Sequence, residues 1–222
     1  MSTTIVLGPA APSPGLPVVA AGRTPGAHAD RAAGIAFRPG TAADAPAILR
    51  LIEDNLEVGH LLPRTIEDLV AHAHRFVVAA DGAAVVGCAE LAPLSLAVAE
   101  VRSLVVAESW RGVGLGTRLI STLQRQARVA GFATLCAFTH EPAPFVRLGF
   151  SIVPHVWFPE KIAVDCTACP KFRTCGQHAM ALALDGVALQ PPAGSYRRMP
   201  ITAVSHASVR AGEVASFSGV RR

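Results

Sequence analysis

Between Arg111 and Thr117 three glycines alternate with other residues, Arg111-Gly112-Val113-Gly114-Leu115-Gly116-Thr117, and no other stretch restricts the fold of this chain as tightly. The residues before it, Ala99 to Val106, read as a long strand. Those after it, to about Ala130, form a helix with Leu115, Leu119, Leu123 and Ala127 on one stripe and Arg118, Gln124, Arg125 and Arg128 facing water. A strand, a tight glycine turn and a helix in succession leave several N–H groups pointing outward at the positive end of the helix dipole. Those donors suit a phosphate, with Arg111 nearby for charge. The alternative is a glycine turn that serves only close helix–strand packing.

Two common phosphate loops fit poorly. A P-loop requires Gly-Lys-Ser or Gly-Lys-Thr, whereas Gly116 is followed directly by Thr117. A dinucleotide fingerprint opens a βαβ unit and places an acidic residue about 20 positions later, where Leu135 and Cys136 stand instead. A coenzyme with a pyrophosphate, bound by another arrangement, is the expectation that remains.

The rest of the chain alternates in an α/β pattern. Ile35 to Arg38 reads as a short strand, and Ala42 to Leu56 as a helix with Ile48, Leu51, Ile52 and Leu56 on one face. A second helix runs from about Thr65, its cap, to His74. Phe76 to Ala80 and Ala84 to Leu91 flank Asp81-Gly82 and form a hairpin. Thr134 to Phe138 is a further strand, followed by a short helix begun at Pro142 and ended near Gly149. Residues 1–33 and 187–222 are rich in Ala, Pro, Gly and Ser without a helical or strand period, so they are expected to be a disordered N-terminal tail and a flexible C-terminal tail. One domain, residues 34–186, lies between them.

Charge and hydropathy exclude several function classes. The formal charge of +4 resides in the tails: Arg197, Arg198, Arg210, Arg221 and Arg222 face Glu213 alone, and Arg23 and Arg31 face Asp30. The central region is nearly neutral and has no basic stripe, so no nucleic-acid partner is expected. A mean hydropathy of +0.40 looks membrane-like. Beyond the first 22 residues, however, no uncharged stretch reaches the roughly 18 to 20 residues of a spanning helix. Pro9, Pro12, Pro14 and Pro17 interrupt that opening stretch, which also lacks the basic start of a signal peptide. The expectation is a cytoplasmic protein without a membrane partner.

The pattern Arg111-x-x-Gly114-x-Gly116 after the strand Glu100-Val101-Arg102-Ser103-Leu104-Val105-Val106 resembles motif A of the GNAT superfamily of acyl-CoA N-acetyltransferases. The resemblance runs from about Ile35 to Leu184. Within the superfamily, four segments in order look like the short N-acetylglutamate synthases of arginine biosynthesis. They are Leu61-Leu62-Pro63-Arg64, Glu100 to Leu104, Pro159-x-Lys161, and Asp165-Cys166-x-x-Cys169-Pro170-Lys171-Phe172-x-x-Cys175. The resemblance implies a GNAT fold, a mixed and mostly antiparallel central sheet flanked by helices, with acetyl-CoA as cosubstrate and L-glutamate as acceptor. A homodimer is left open.

By the same resemblance, backbone groups of Leu104, Val105 and Val106 meet the pantetheine arm and thioester. The amides of Arg111, Gly112, Val113, Gly114, Leu115, Gly116 and Thr117 hold the pyrophosphate. Glu100 stands where many GNAT enzymes keep the carboxylate that takes the amine proton, often through water. Glutamate carries two carboxylates, so its site calls for fixed cations. Arg102, on the same strand face as Glu100, together with Arg64 and Lys161, matches that need, and Ser103 and Thr139 offer hydroxyls. Many GNAT enzymes protonate the departing thiolate with a tyrosine where this chain has Phe145; its single tyrosine is Tyr196, in the tail. His140 is a candidate proton relay. Other readings keep the fold with a different amine acceptor, or make the chain a noncatalytic acyl-CoA sensor.

Cys88 and Cys136 lie in apolar strands as buried, inert residues. Cys166, Cys169 and Cys175 with His178 give C-x2-C-x5-C-x2-H, four potential zinc ligands at compressed spacing. Reduced thiols packing a C-terminal loop over the substrate pocket are the main expectation, with zinc and redox sensing as alternatives and no disulfide.

Overall fold

The computed structural model describes residues 34–57 and 61–191. The expected tail segments 1–33 and 192–222 lie outside the described residues. Seven strands form one sheet in the order β1-β2-β3-β4-β5-β7-β6: β1 (Ala36–Pro39), β2 (Phe76–Asp81), β3 (Ala84–Pro93), β4 (Val98–Val106), β5 (Thr134–Thr139), β6 (Ser151–Val153) and β7 (His178–Ala183). Every pair is antiparallel except β4 with β5. This is the GNAT fold expected from the sequence.

Local chemistry accounts for most elements. Helix α1 (Ala45–Glu53) follows a short turn, Ala42–Asp44. Asp44 accepts hydrogen bonds from the Thr41 backbone and hydroxyl at 2.8 Å and a bidentate pair from Arg38 at 2.7 Å, which ties the end of β1 to the helix start. Helix α2 (Ile66–Ala71) begins as expected, with the Thr65 hydroxyl accepting the Asp68 N–H. Gly82 takes a left-handed φ of 59° in the β2–β3 hairpin. Helix α3 (Leu115–Val129) buries Leu115, Leu119, Ile120, Leu123 and Ala127 against one sheet face. Helix α1 buries Ile48, Leu51 and Ile52 on the other, beside Leu69, Val78 and Val105. The two strands β6 and β7 were not individually legible; β6 has three residues, and β7 sits between β5 and β6.

Two irregularities of β4 shape the centre. Its ladder with β5 covers Val98 to Val101 opposite Thr134 to Ala137 and goes no further, while β4 stays on β3 to Val106 and β5 stays on β7 to Thr139. The sheet therefore opens between β4 and β5. Next to the opening, Ser103 has a φ of 46°, alone among described non-glycine residues in being positive, and the β3–β4 register slips there between Cys88 and Glu90. The slip resets the alternation. Ala99 and Val101 face α3, and after the bulge so do Leu104 and Val106, leaving Val105 to the α1 side.

Residues 187–191, assigned to the tail by sequence, form no helix or strand, and Leu189 packs against the cluster of Cys136, Phe138, Val153 and Phe158. No helix among the described residues is long and apolar enough to cross a membrane.

Close approach fixes one residue of the frame. At Gly40, whose N–H donates to Phe76 at 2.8 Å, a Cβ would lie 2.8 Å from the Ala73 carbonyl oxygen and 3.0 Å from Phe76 Cβ. Gly40→Ala is expected to cost about 1–3 kcal/mol of stability, as overpacking against rigid backbone does. Urea unfolding of the two proteins measures it, and an unchanged midpoint would show that the turn relaxes freely.

Candidate active site

The glycine loop lies at the mouth of the sheet opening. Gly112 and Gly114 have φ values of 79° and 85°, and a Cβ on either would meet nothing within 4 Å. Helix–strand packing therefore does not explain these two glycines; left-handed backbone does. Gly114 caps α3, and the first hydrogen bond back to it, Arg118 N–H to its carbonyl at 3.1 Å, leaves the amides of Leu115, Gly116 and Thr117 without intrahelical acceptors. These residues border a cleft of about 380 Å³ with Val106, Trp110, Arg111, Pro144 and Arg147.

The expected coenzyme residues divide by what they can offer. Leu104 and Val105 are fully buried, and Val113 packs on the core, so only their backbones are available. Arg111 is anchored to the cleft wall, with Nε donating to the Val106 carbonyl at 3.2 Å and the guanidinium bonded to Asn55 Oδ1. Arg147 is a second cation at the cleft, a residue to which the sequence assigned no role. It ends helix α4 (Ala143–Arg147), which follows β5, so the topology returns it to the opening. Phe145 of the same helix is buried edge-on against Phe150.

The cations expected to receive glutamate form an ion network instead. Lys161, fully buried, donates to both oxygens of the fully buried Glu100 at 2.7 and 2.8 Å and lies 3.0 Å from Asp165. Arg102 donates to Glu100 at 2.6 Å and to Asp165. Burial pushes the Asp165 carboxyl up, but Lys161 and Arg102 hold it below its ordinary value. Arg64 pairs with Glu90 at 2.9 Å and Asp68 at 2.5 Å, and donates to Ser103 Oγ at 3.1 Å.

This arrangement bears on two expectations. Glu100 has both oxygens engaged and no exposure, so any part it takes in accepting the amine proton runs through water or another group. Arg64, Arg102 and Lys161 are brought together as expected, yet carboxylates already neutralise them. Thr139, buried at the end of β5, uses its hydroxyl to accept the Glu141 N–H at 2.9 Å and to donate to the Glu141 carbonyl at 3.2 Å.

A separate cavity of about 200 Å³ lies past the end of β5. Leu62, Phe138, His140 and His155 line it on one part, and Cys166, Cys169, Lys171, Phe172, Thr174, Cys175, Gly176 and Gln177 on another. Lys171 is its only formally charged lining side chain among the described residues, leaving histidine aside, and no carboxylate joins it. The sequence reading quoted Lys171 inside a resemblance without giving it a task. Its place between two cavity-lining cysteines was the available signal.

The cysteines of this segment line the cavity as thiols. Among the described residues no three His, Cys, Asp or Glu side chains gather to hold a metal ion. His178 opens β7, paired with Thr139 in the ladder. Burial raises the thiol of Cys88 to about 12 and that of Cys136 well above its ordinary value, as befits inert core residues.

The ion network yields a test. Lys161→Met strips the buried Glu100 of the counter-charge bonded to both its oxygens and is expected to cost about 3–5 kcal/mol by chemical unfolding, with Glu100→Gln added to it restoring part of the loss. A change below about 1 kcal/mol would mean that water reaches Glu100.

The geometry matches known proteins. The Acetyltransferase (GNAT) family model covers residues 46–150. An uncharacterized N-acetyltransferase of Chlorobaculum tepidum is 34% identical over 153 residues, 69% of this chain and 99% of that protein. Among solved structures, Rv2747 from Mycobacterium tuberculosis in complex with CoA and NLQ superposes with a TM-score of 0.59 at 24% identity, covering 67% of this chain and 98% of its own. N-acetylglutamate synthase from Neisseria gonorrhoeae, complexed with coenzyme A and N-acetyl-glutamate, superposes at 0.55 with 24% identity, covering 68% of this chain and 35% of its own. With its glycine loop at the sheet opening and a full-length relative at this identity, the chain belongs to the GNAT family and is an acetyltransferase.

Proposed function

We propose that the protein transfers the acetyl group of acetyl-CoA to the α-amine of L-glutamate. The observation that carries this reading is the charge of the cavity: Lys171 lines it, no carboxylate does, and the acids nearby, Glu90, Glu100 and Asp165, are held in ion pairs. A polyamine would find no anion there. A dicarboxylic amino acid finds a cation and a hydrogen-bonding wall. The likeness to N-acetylglutamate synthase adds support at the level of the fold.

In this reading the pyrophosphate lies against the amides of residues 112–117 at the start of α3, with Arg147 and Arg111 at the cleft wall. The pantetheine arm follows β4 into the opening, where Leu104 to Val106 have no β5 partner and their backbone groups replace a strand's. The amine attacks the thioester carbonyl carbon, the oxyanion takes a backbone N–H, and the C–S bond breaks as the amide forms. His140, at the end of β5 on the cavity, is the assigned proton acceptor, while Glu100 holds Arg102 and Lys161 in place. With Phe145 on α4, the thiolate leaves without a side-chain acid, which a thiol of pKa near 8.5 permits.

The test is thiol release from acetyl-CoA by purified protein with each amino acid and a polyamine panel. L-Glutamate is expected to be the fastest acceptor, with spermidine silent; turnover with amines lacking carboxylates, and none with glutamate, would overturn the reading. Lys171→Met is expected to raise the glutamate KM about 10- to 100-fold, the loss of one charge-assisted bond, with the acetyl-CoA KM unchanged. Gly114→Asp sets strain and negative charge against the pyrophosphate and should abolish coenzyme binding in calorimetry.

A further inference from the structure

His155 begins the turn His155–Trp157 after β6, with its ring 5.5 Å from that of Phe138 in the same cavity as Lys171. Its Nε2 is buried and, among the described residues, has no hydrogen-bond partner. It is the one such buried side-chain nitrogen or oxygen in the described fold, where even Glu100, Ser103 and Thr139 are bonded. A buried polar atom without a partner weakens a fold and calls for an explanation. Phenylalanine would fill the same place against Phe138 without that cost.

Burial first, and His178 second, push the His155 pKa below its ordinary value, so the ring is neutral near pH 7. A neutral imidazole offers one N–H donor and one lone pair. The glycine-loop cleft shares no lining residue with this cavity, so the pyrophosphate held there is not the missing partner. Lys171 makes the cavity suited to an anion, and an anion's oxygens accept hydrogen bonds.

We infer that His155 is a specificity-determining residue whose Nε2–H donates to a side-chain carboxyl oxygen of the acceptor, with Lys171 supplying the charge. The inference rests on the reading that this cavity holds the acceptor. It makes the side-chain carboxyl group, rather than the amine alone, the feature that the enzyme selects.

Two variants test it. His155→Phe keeps the ring against Phe138 and removes the nitrogen; it is expected to raise the L-glutamate KM at least 10-fold, with the acetyl-CoA KM within twofold. Its melting temperature should hold or rise by about 2–4 °C, because a buried polar atom without a partner is gone. His155→Gln returns an N–H near the same point and should recover most of the acceptor KM. An unchanged glutamate KM in His155→Phe overturns the inference while leaving the glutamate reading intact. Both KM values rising together with a lowered melting temperature, and no recovery in the glutamine variant, would make His155 purely structural and overturn it equally. If the wild type ignores glutamate and uses another acceptor, the glutamate reading falls. The same KM comparison with that acceptor then decides the part of His155.

Discussion

The site depends on a ladder that stops. Strands β4 and β5 pair through Val101 and Ala137 and then part, while each keeps its other neighbour. A sheet that opens in its middle loses backbone hydrogen bonds that nothing local replaces. The ion network stands where the ladder ends. Glu100 belongs to the next-to-last pair, opposite Cys136, and Arg102 is the first residue beyond the pairing. Lys161 and Asp165 reach both from the segment after β6, so charge-assisted bonds tie the two halves of the sheet where the strands no longer do. Arg64 and Ser103 brace the β3 side of the same point. The opening is thereby held at a fixed place, and the glycine loop follows directly from the freed end of β4.

The network also bears on what the cavity proposed for the acceptor can recognise. Three cations, Arg64, Arg102 and Lys161, meet Glu90, Glu100, Asp165 and Asp68, so their charge is consumed inside the protein. Recognition of an anion then passes to the segment that closes the cavity. That segment is anchored by the network itself: Asp165 sits in a π-helical turn, Ile162–Cys166, whose last residue already lines the cavity. Lys171 lies five residues farther on. A change at Lys161 or Asp165 would therefore be felt at Lys171 through the backbone.

What was legible in the sequence was local. The hairpin at Asp81-Gly82, the Thr65 cap, the stripe of α3 and the left-handed glycines of the loop are all determined within a few residues, and chain periodicity displays them. The pairing of charges was not legible. Arg102 meets Asp165 across 63 positions and Lys161 meets Glu100 across 61, so a reading that counted cations near one strand had no way to see them neutralised. The bulge at Ser103 was equally hidden, since serine carries no sign of a left-handed φ. His155 looked like any loop histidine; only the packing that buries its Nε2 distinguishes it.

The five cysteines bear on the choice between direct and covalent transfer. A cysteine that carried the acetyl group between coenzyme and acceptor would need a thiolate between the two sites. Cys88 and Cys136 are fully buried with thiols raised far from ionisation. Cys166 is raised as well, first by burial, and Cys175 donates weakly to Gln177 Oε1 at 3.8 Å. Cys166, Cys169 and Cys175 all line the cavity proposed for the acceptor, and none borders the glycine-loop cleft. An acyl-enzyme on any of them would place the acetyl group where the acceptor has to bind. Direct attack needs no such residue: it needs the amine brought to the opening between β4 and β5, where the thioester lies in this reading. In this reading the thiols are small polarizable walls of the cavity that Lys171 and His155 also line.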